Sequence, residues 1–388
     1  MTLSVSVSCA TALVKKAPGT ASSTAIAKCL TSRHHARTYS SSSLPRPYRF
    51  HVGASWAGKP PDPRAPRVKS SPFPPDSPIG KWRDMTLSRP NPVAGKYIGE
   101  DFFYIQDMRE KSGVSIGIAD GVGGWIESGI DPSLFSQALM YHAHRYSKIA
   151  WPGEPEVDPT QEYEEREQVE GWELSPLECL ESAYGGVLRE RNVLAGSSTA
   201  CIMTLNASTG MLRAANLGDS GFLVIRGSSV VYQQRSQTHF FNCPKQLSKL
   251  PTSQKRFSRA VMDYPSDADL CEFNLRHGDI LISYTDGLSD NVFPSEMVAI
   301  CSLVVRQFQL SRRTLTPSGE IEVEIEGVVE DLEAQAMAER LVDYARMCMN
   351  NTRRVSPFER AAAREGMYFR GGKVDDVTVI VATVQEVI

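Results

Sequence analysis

Short runs of β-branched and apolar residues, each bounded at one end by an acid, recur along this chain and limit its folds more than any other feature. Glu100-Asp101 immediately precedes Phe102-Phe103-Tyr104-Ile105, and Asp120-Gly121 immediately follows Val114 to Ala119. Asp286-Gly287 follows Ile280 to Thr285, and Asp375-Asp376 precedes Val377 to Val384. Runs of this length with stop signals beside them read as strands. If 102–107 and 114–119 pair antiparallel through the turn at Lys111-Ser112-Gly113, Asp101 and Asp120 fall at the same end of a sheet. If 280–285 and 377–384 also run antiparallel, Asp286 and Asp375 share an end. Asp219, in Gly218-Asp219-Ser220-Gly221 between two more strand-like runs, can join them.

Thr199 to Leu205, Met211 to Leu217 and Phe222 to Ile225 read as further strands, the first two joined by the turn Asn206-Ala207-Ser208-Thr209-Gly210. Helical periodicity covers 132–148, 176–194, 295–309 and 331–349. The helices come singly or as a late pair among many strands, so strict βαβ alternation fails. The expected class is α+β, a layered sandwich rather than a doubly wound sheet.

The chain consists of two physically different pieces. Residues 1–61 carry eight Lys or Arg and no acid, which leaves 34 basic against 45 acidic groups in the remainder. A basic, Ser/Thr-rich, acid-free leader has the composition of a mitochondrial or plastid transit peptide, and Arg37-Thr38-Tyr39-Ser40 looks like a matrix-peptidase site with cleavage after Tyr39. Residues 1–39 are therefore expected to be a mitochondrial transit peptide; a secretory signal fits poorly, because the charged n-region is missing. Residues 44–92 hold 12 of the 24 prolines, and 40–92 reads as a Pro/Ser-rich disordered linker with folding beginning near 93. Two inserts are expected as solvated loops or hairpins: 154–170, with eight acids against Arg166, and the polar stretch 311–329. The eight cysteines form no C-x-x-C pair, which excludes a zinc framework or dense disulfide scaffold and suggests buried thiols in a reducing compartment. A net charge of −3 argues against a nucleic-acid binder, and no run of about 18 apolar residues is present to span a membrane.

Converging carboxylates repel, so their proximity requires protons or cations. Hard oxygen donors suit Mg²⁺ or Mn²⁺. Gly121, with no Cβ, lets its backbone approach a metal and offer a carbonyl oxygen. One Asp-Gly after a strand is commonly just a turn; the ordered series is more than that.

The series Gly99-Glu100-Asp101, Ala119-Asp120-Gly121-Val122-Gly123-Gly124-Trp125, Gly196-Ser197-Ser198-Thr199-Ala200, Asn216-Leu217-Gly218-Asp219-Ser220, Thr285-Asp286-Gly287-Leu288-Ser289-Asp290 and Asp375-Asp376-Val377-Thr378 resembles the metal-dependent type-2C (PPM) Ser/Thr protein phosphatases. It covers 93–388. The Asp-Gly-Val-Gly-Gly-Trp form, with His239 to Pro244 and Gln246-Leu247-Ser248, is similar to the mitochondrial branch. The resemblance implies two antiparallel β-sheets packed as a sandwich flanked by α-helices, with two Mn²⁺ or Mg²⁺ at one end. It implies that Asp120 bridges both metals, Gly121 binds one through its carbonyl, and Asp286 and Asp375 hold the other. Glu100 and Asp101 would bind metal-coordinated waters or a metal, and Asp219 and Asp290 match positions that can take a weaker third ion. Cations there activate water and offset phosphoryl charge, so neither a phosphoenzyme nor a cysteine nucleophile is needed.

Two positions depart from the wider family. Val122 stands where many members have a histidine proposed as general acid, and Lys96 stands where many have a phosphate-holding arginine. The implied substrates are mitochondrial phosphoproteins, including enzymes of ubiquinone synthesis or mitophagy receptors, with the protein acting as a monomer in the matrix. A catalytically dead relative that binds phosphoproteins is the alternative; its mark would be loss of a metal aspartate. A Ca²⁺ module would group its acids in one D-x-D-x-D-G loop, whereas here they span more than 270 residues.

Overall fold

The computed structural model describes residues 46–61, 71–90, 97–153, 173–251, 261–315 and 323–387. The strands, in chain order, are β1 (Tyr48–Ala57), β2 (Phe102–Asp107), β3 (Gly113–Ala119), β4 (Gly196–Ser198), β5 (Ala200–Asn206), β6 (Met211–Leu217) and β7 (Gly221–Arg226). They continue with β8 (Ser229–Gln233), β9 (Thr238–Phe240), β10 (Cys243–Pro244), β11 (Leu247–Lys249), β12 (Asp269–Asn274), β13 (Ile280–Tyr284) and β14 (Val377–Glu386). The helices are α1 (Pro78–Thr86), α2 (Ser133–Lys148), α3 (Pro176–Arg189), α4 (Asp286–Ser289), α5 (Pro294–Leu315), α6 (Val323–Met349) and α7 (Pro357–Arg364). One five-stranded sheet runs β1-β14-β13-β7-β8 and the other β12-β6-β5-β3-β2. Every neighbouring pair in both is antiparallel.

The near-continuous apolar run of β14 follows from burial on both faces. Ile380, Ala382 and Val384 point into the space between the sheets, among Trp56, Phe103, Ile118 and Met203. Val377, Val379 and Val381 point the other way, into a second core with Met337, Leu341 and Ala345 of α6. Helices α2 and α3 cover the outer face of the second sheet through Phe135, Leu139, Leu180 and Val187. The result is four layers, helix–sheet–sheet–helix. Each fully buried Leu, Ile, Val or Phe contributes about 1.5–3 kcal/mol. The expected α+β sandwich is the observed one.

The linker expected at 40–92 requires correction, because residues 46–61 and 71–90 are part of the fold. β1 pairs along its whole length with β14, from Tyr48 opposite Glu386 to Ala57 opposite Val377. Its prolines lie outside the strand and bound it, which is compatible with an edge position. The edge itself is covered. Gln335 of α6 donates to the Ala54 carbonyl at 2.9 Å and accepts from the Ala54 N–H at 3.0 Å, satisfying groups that face away from the sheet. The helix comes this close because position 53 is glycine. After β1, α1 starts at the Ser77 cap with Pro78 in its first turn. It buries Trp82 against Phe102, Tyr141 and His144.

The stretch 311–329 is a second correction: α5 runs to Leu315 and α6 begins at Val323, so both ends of it are helical. The Glu/Ile/Val alternation imitates a strand, but from Val323 onward no proline interrupts a composition rich in Glu, Ala, Leu and Met. The transit peptide at 1–39, the acidic insert at 154–170 and Lys96 lie outside the described residues. Among the described residues six cysteines are unpaired: Cys179, Cys201, Cys301 and Cys348 are buried, while Cys243 and Cys271 are half-buried.

A Cβ at Gly53 would lie 2.3 Å from the Gln335 backbone. Gly53→Val is therefore expected to push α6 off β1 and cost about 2–3 kcal/mol, read as a lower urea midpoint at constant slope.

Candidate metal centre

Antiparallel pairing assembles the site. Phe102 lies opposite Ala119, so Glu100-Asp101 and Asp120 leave β2 and β3 side by side. Tyr284 lies opposite both Val379 and Gly221, which brings Asp286, Asp375 and Asp219 to the same rim. There a cleft of about 380 Å³ is lined by Glu100, Asp120, Gly121, Val122, Asp219, Asp286 and Asp375, with Lys59 and Lys373. Carboxylate oxygens of Asp120, Asp219 and Asp286 lie within 4.8 Å of one another.

Each acid is held by a specific local device. The Asp120 N–H donates to Thr199 Oγ1 at 3.0 Å, and its carbonyl accepts from the Thr199 N–H and the Ser198 hydroxyl. That is what Gly196-Ser197-Ser198-Thr199 does for the site. Trp125 donates to Ser197, which donates to Gln246, so the Trp and Gln of the sequence motifs brace this segment. Asp101 is fully buried, and its Oδ2 accepts from Thr285 and Thr378 hydroxyls at 2.8 Å each. Asp376 turns away from the cleft to accept from the N–H groups of Lys59 and Glu100, at 2.7 and 2.9 Å. Gly99 has a φ of 79°, and a Cβ there would lie 1.9 Å from Asp376 Oδ1, so only glycine fits.

Two lysines stand among the acids. Lys59 Nζ is 3.0 Å from Glu100, 3.1 Å from Asp375 and 3.4 Å from Asp376. Lys373 Nζ is 2.5 Å from Asp286, 2.7 Å from Asp290 and 3.1 Å from Asp375. Burial opposes the charge on both lysines, yet these carboxylates hold them well above the usual lysine range. Burial, then Asp101, Asp286, Asp375 and Asp219, push the Asp120 carboxyl well above its usual value. Burial and nearby acids likewise raise Asp101 and Asp219. Burial takes Glu100 to about 7 despite Lys59, and Asp290 to about 7 despite Lys373. Asp375 alone moves down, since Lys373 and Lys59 together outweigh its burial.

The residues fit a divalent cation. Oδ1 atoms of Asp101, Asp219 and Asp286 are buried with no hydrogen-bond partner, a costly state for anions unless an ion completes it. The donors are all oxygen, with neither histidine nor thiolate in the lining, which matches Mg²⁺ or Mn²⁺ rather than zinc.

No family model matches the chain. "Protein phosphatase PTC7 homolog fig" of Drosophila grimshawi is 36% identical over 301 residues, covering 77% of this chain and 84% of that one. "Protein phosphatase PTC7 homolog" of Homo sapiens is 34% identical over 292 residues, covering 75% and 81%. The X-ray structure of the photosystem II phosphatase PBCP superposes with a TM-score of 0.55 at 25% identity, covering 87% of this chain and 100% of that one. This chain belongs to the type-2C (PPM) protein phosphatase family. It is a protein-serine/threonine phosphatase.

The type-2C resemblance anticipated Glu100, Asp120, Gly121, Asp219, Asp286 and Asp375, all of which line the cleft; Asp101 lies beneath it and Asp290 joins through Lys373. Lys59 and Lys373 were missed. Lys59 fell in the supposed linker, and its one signal is its place two residues after β1. Lys373 stands two residues before Asp375, with no pattern of its own.

The raised carboxyls set a pH dependence for the metal-free protein. Glu100 and Asp290 titrate near 7 when folded, well above their unfolded values, so the folded state binds more protons between about pH 4.5 and 7. Their stabilising contribution is full below that window and is lost as pH rises through 7. The melting temperature of EDTA-treated protein is expected to fall from pH 6 to pH 8, and saturating Mn²⁺ should flatten that slope.

Proposed function

We propose that this phosphatase hydrolyses phosphoserine and phosphothreonine on mitochondrial proteins, using two Mn²⁺ or Mg²⁺ ions held at the acidic rim. The observation that carries the reading is the convergence of Asp120, Asp219 and Asp286 oxygens within 4.8 Å, drawn from three separate strand ends. Asp120, Asp286 and Asp375 would hold the ions with Asp219 and the Gly121 backbone beside them, while Glu100 and Asp101 support from behind. Bound there, divalent cations supply an activated water near neutral pH and positive charge against the phosphoryl oxygens.

The chain's own groups do the rest. Lys59 keeps 30% of its side chain accessible at the cleft and offers a point charge to the phosphate; Lys96, the expected phosphate-binding lysine, lies outside the described residues. Val122 lines the cleft and carries no proton, so it takes no part in protonating the leaving oxygen. At Gly124 the space that a side chain would fill is open, which leaves room for a peptide at the mouth. A catalytically dead relative would have lost a metal aspartate, yet Asp120, Asp286 and Asp375 all line the cleft. Residues 1–39, basic and free of acids, support import into the mitochondrion, most simply to the matrix.

Three measurements test this reading. With Mn²⁺ and a phosphothreonine peptide, Asp120→Asn and Asp286→Asn should each lower kcat at least about a hundredfold, roughly 2.7 kcal/mol, and EDTA should abolish turnover. Turnover that persists in EDTA, or full activity in Asp120→Asn, overturns the assignment. Lys59→Met should lower kcat/KM for the peptide about tenfold or more, roughly 1.4 kcal/mol; an unchanged value removes Lys59 from phosphate binding. For location, the amino terminus of protein recovered from isolated mitochondria is expected near residue 40. A chain still starting at Met1 and confined to cytosol defeats the import proposal.

A further inference from the structure

A second opening adjoins the metal cleft on the other side of Lys59 and Asp375. It encloses about 250 Å³, and these two residues line both spaces. The partition is therefore a single ion pair, Lys59 Nζ to Asp375 Oδ1 at 3.1 Å. Ala57 and Met349 form the buried floor, while Pro60, Pro61, Tyr97 and Val374 stand around it. Tyr97 is 57% exposed and Val374 52% exposed, so the rim presents apolar surface to solvent.

The opening is held in shape by backbone contacts. The Gly58 N–H donates to the Tyr97 carbonyl at 3.1 Å, and the next N–H, that of Lys59, donates to Asp376. The Tyr97 ring lies directly on Gly58, where a Cβ would come 2.3 Å from ring Cδ1. Pro60 and Pro61 have fixed φ and no N–H, so this wall neither coils into a helix nor pairs with a strand. Met349 closes the floor from the end of α6, within the second core. Apolar side chains fixed around a concavity beside a catalytic cleft, rather than folded into the core, are placed to meet a ligand.

Continuity with the cleft identifies that ligand. The substrate of a protein-serine/threonine phosphatase is a polypeptide, and a phosphate set against Lys59 brings its chain to this partition. Each further residue extends the chain by about 3.3–3.6 Å, so the nearest neighbours of the phosphoresidue are the ones within reach. The charges of Lys59 and Asp375 are already paired with each other and with Glu100 and Lys373. What the opening offers a newcomer is mainly the apolar surface of Tyr97, Val374, Met349 and the two prolines.

We propose, on the phosphatase reading given above, that this opening is a specificity subsite for a large apolar side chain within two residues of the phosphoserine or phosphothreonine. Tyr97 and Val374 grip that flanking side chain and leave the phosphate to the cleft.

The test uses full-length protein with Mn²⁺ and phosphothreonine peptides in a Gly/Ser background. The two residues on each side of the phosphothreonine are changed one at a time to Leu, Gly or Asp. At one of the four positions Leu should raise kcat/KM about tenfold or more over Gly, with Asp no better than Gly. Tyr97→Ala and Val374→Ser should each remove most of that preference. Both variants should hydrolyse p-nitrophenyl phosphate, which has no flanking residue, within about twofold of wild type. Wild type without a Leu preference at any of the four positions overturns the subsite, whatever the variants do. A preference for Asp, which would point to Arg346 instead, or a Leu preference that survives both substitutions, overturns it equally. Wild type that hydrolyses neither p-nitrophenyl phosphate nor any peptide with Mn²⁺ defeats the phosphatase reading instead, which keeps the two failures apart.

Discussion

Mutual repulsion among carboxylates is the constraint around which this structure is arranged. Glu100, Asp101, Asp120, Asp219, Asp286, Asp290 and Asp375 are drawn to one rim, where Glu100, Asp101 and Asp286 are buried and the others half-buried. Isolated buried anions cost several kcal/mol each, so the cluster stands only if positive charge is supplied. Two ammonium groups, from Lys59 and Lys373, supply part of it, and the hydroxyls of Thr285 and Thr378 satisfy one oxygen of Asp101. The oxygens left over on Asp101, Asp219 and Asp286 mark the remaining deficit. A rim left incomplete in this manner fits a divalent cation.

Holding like charges together also demands a stiff frame, and the sandwich provides one. Glu100, Asp101, Asp120, Asp219, Asp286 and Asp375 sit at the ends of paired strands, and Asp290 follows the short helix α4. β14 is buried against both the second sheet and α6, so Asp375 cannot swing away without disturbing two cores. Asp376, next in sequence, faces the other way and ties the end of β1 to Glu100. Adjacent residues just before β14 thus divide the work: one acid faces the cleft and its neighbour fastens the frame.

The acids were legible in the sequence because each abuts an apolar run, and antiparallel pairing converts that one-dimensional pattern into a shared rim. The antiparallel pairings of β2 with β3 and of β13 with β14, on which that reasoning was conditional, are the ones observed. β1 was not legible. In Tyr48–Ala57 the first half is only partly buried and the strand is hemmed by Pro45, Pro47, Pro60 and Pro61, so proline density masked it. Its stability comes from β14 and from Gln335, nearly 300 residues away, contacts that no local window contains. Lys59 disappeared with the strand that carries it. Residues 311–329 misled in another way, because alternating Glu and Ile satisfies a strand pattern, whereas the helix is decided by α6 packing on β1 and β14.

The two lysines show how burial assigns different work to one chemical group. Lys59 sits at the end of an edge strand with 30% of its side chain accessible, so a ligand can compete for its charge. Lys373 has 16% accessible and is clamped through its backbone by Asn291, so its charge stays in place. Both pair with Asp375, which is why that carboxyl is held below its usual range while Glu100, Asp101, Asp120, Asp219 and Asp290 are pushed up. A centre that must gather cations at neutral pH needs at least one carboxylate whose charge does not depend on them, and here the chain's own lysines secure it.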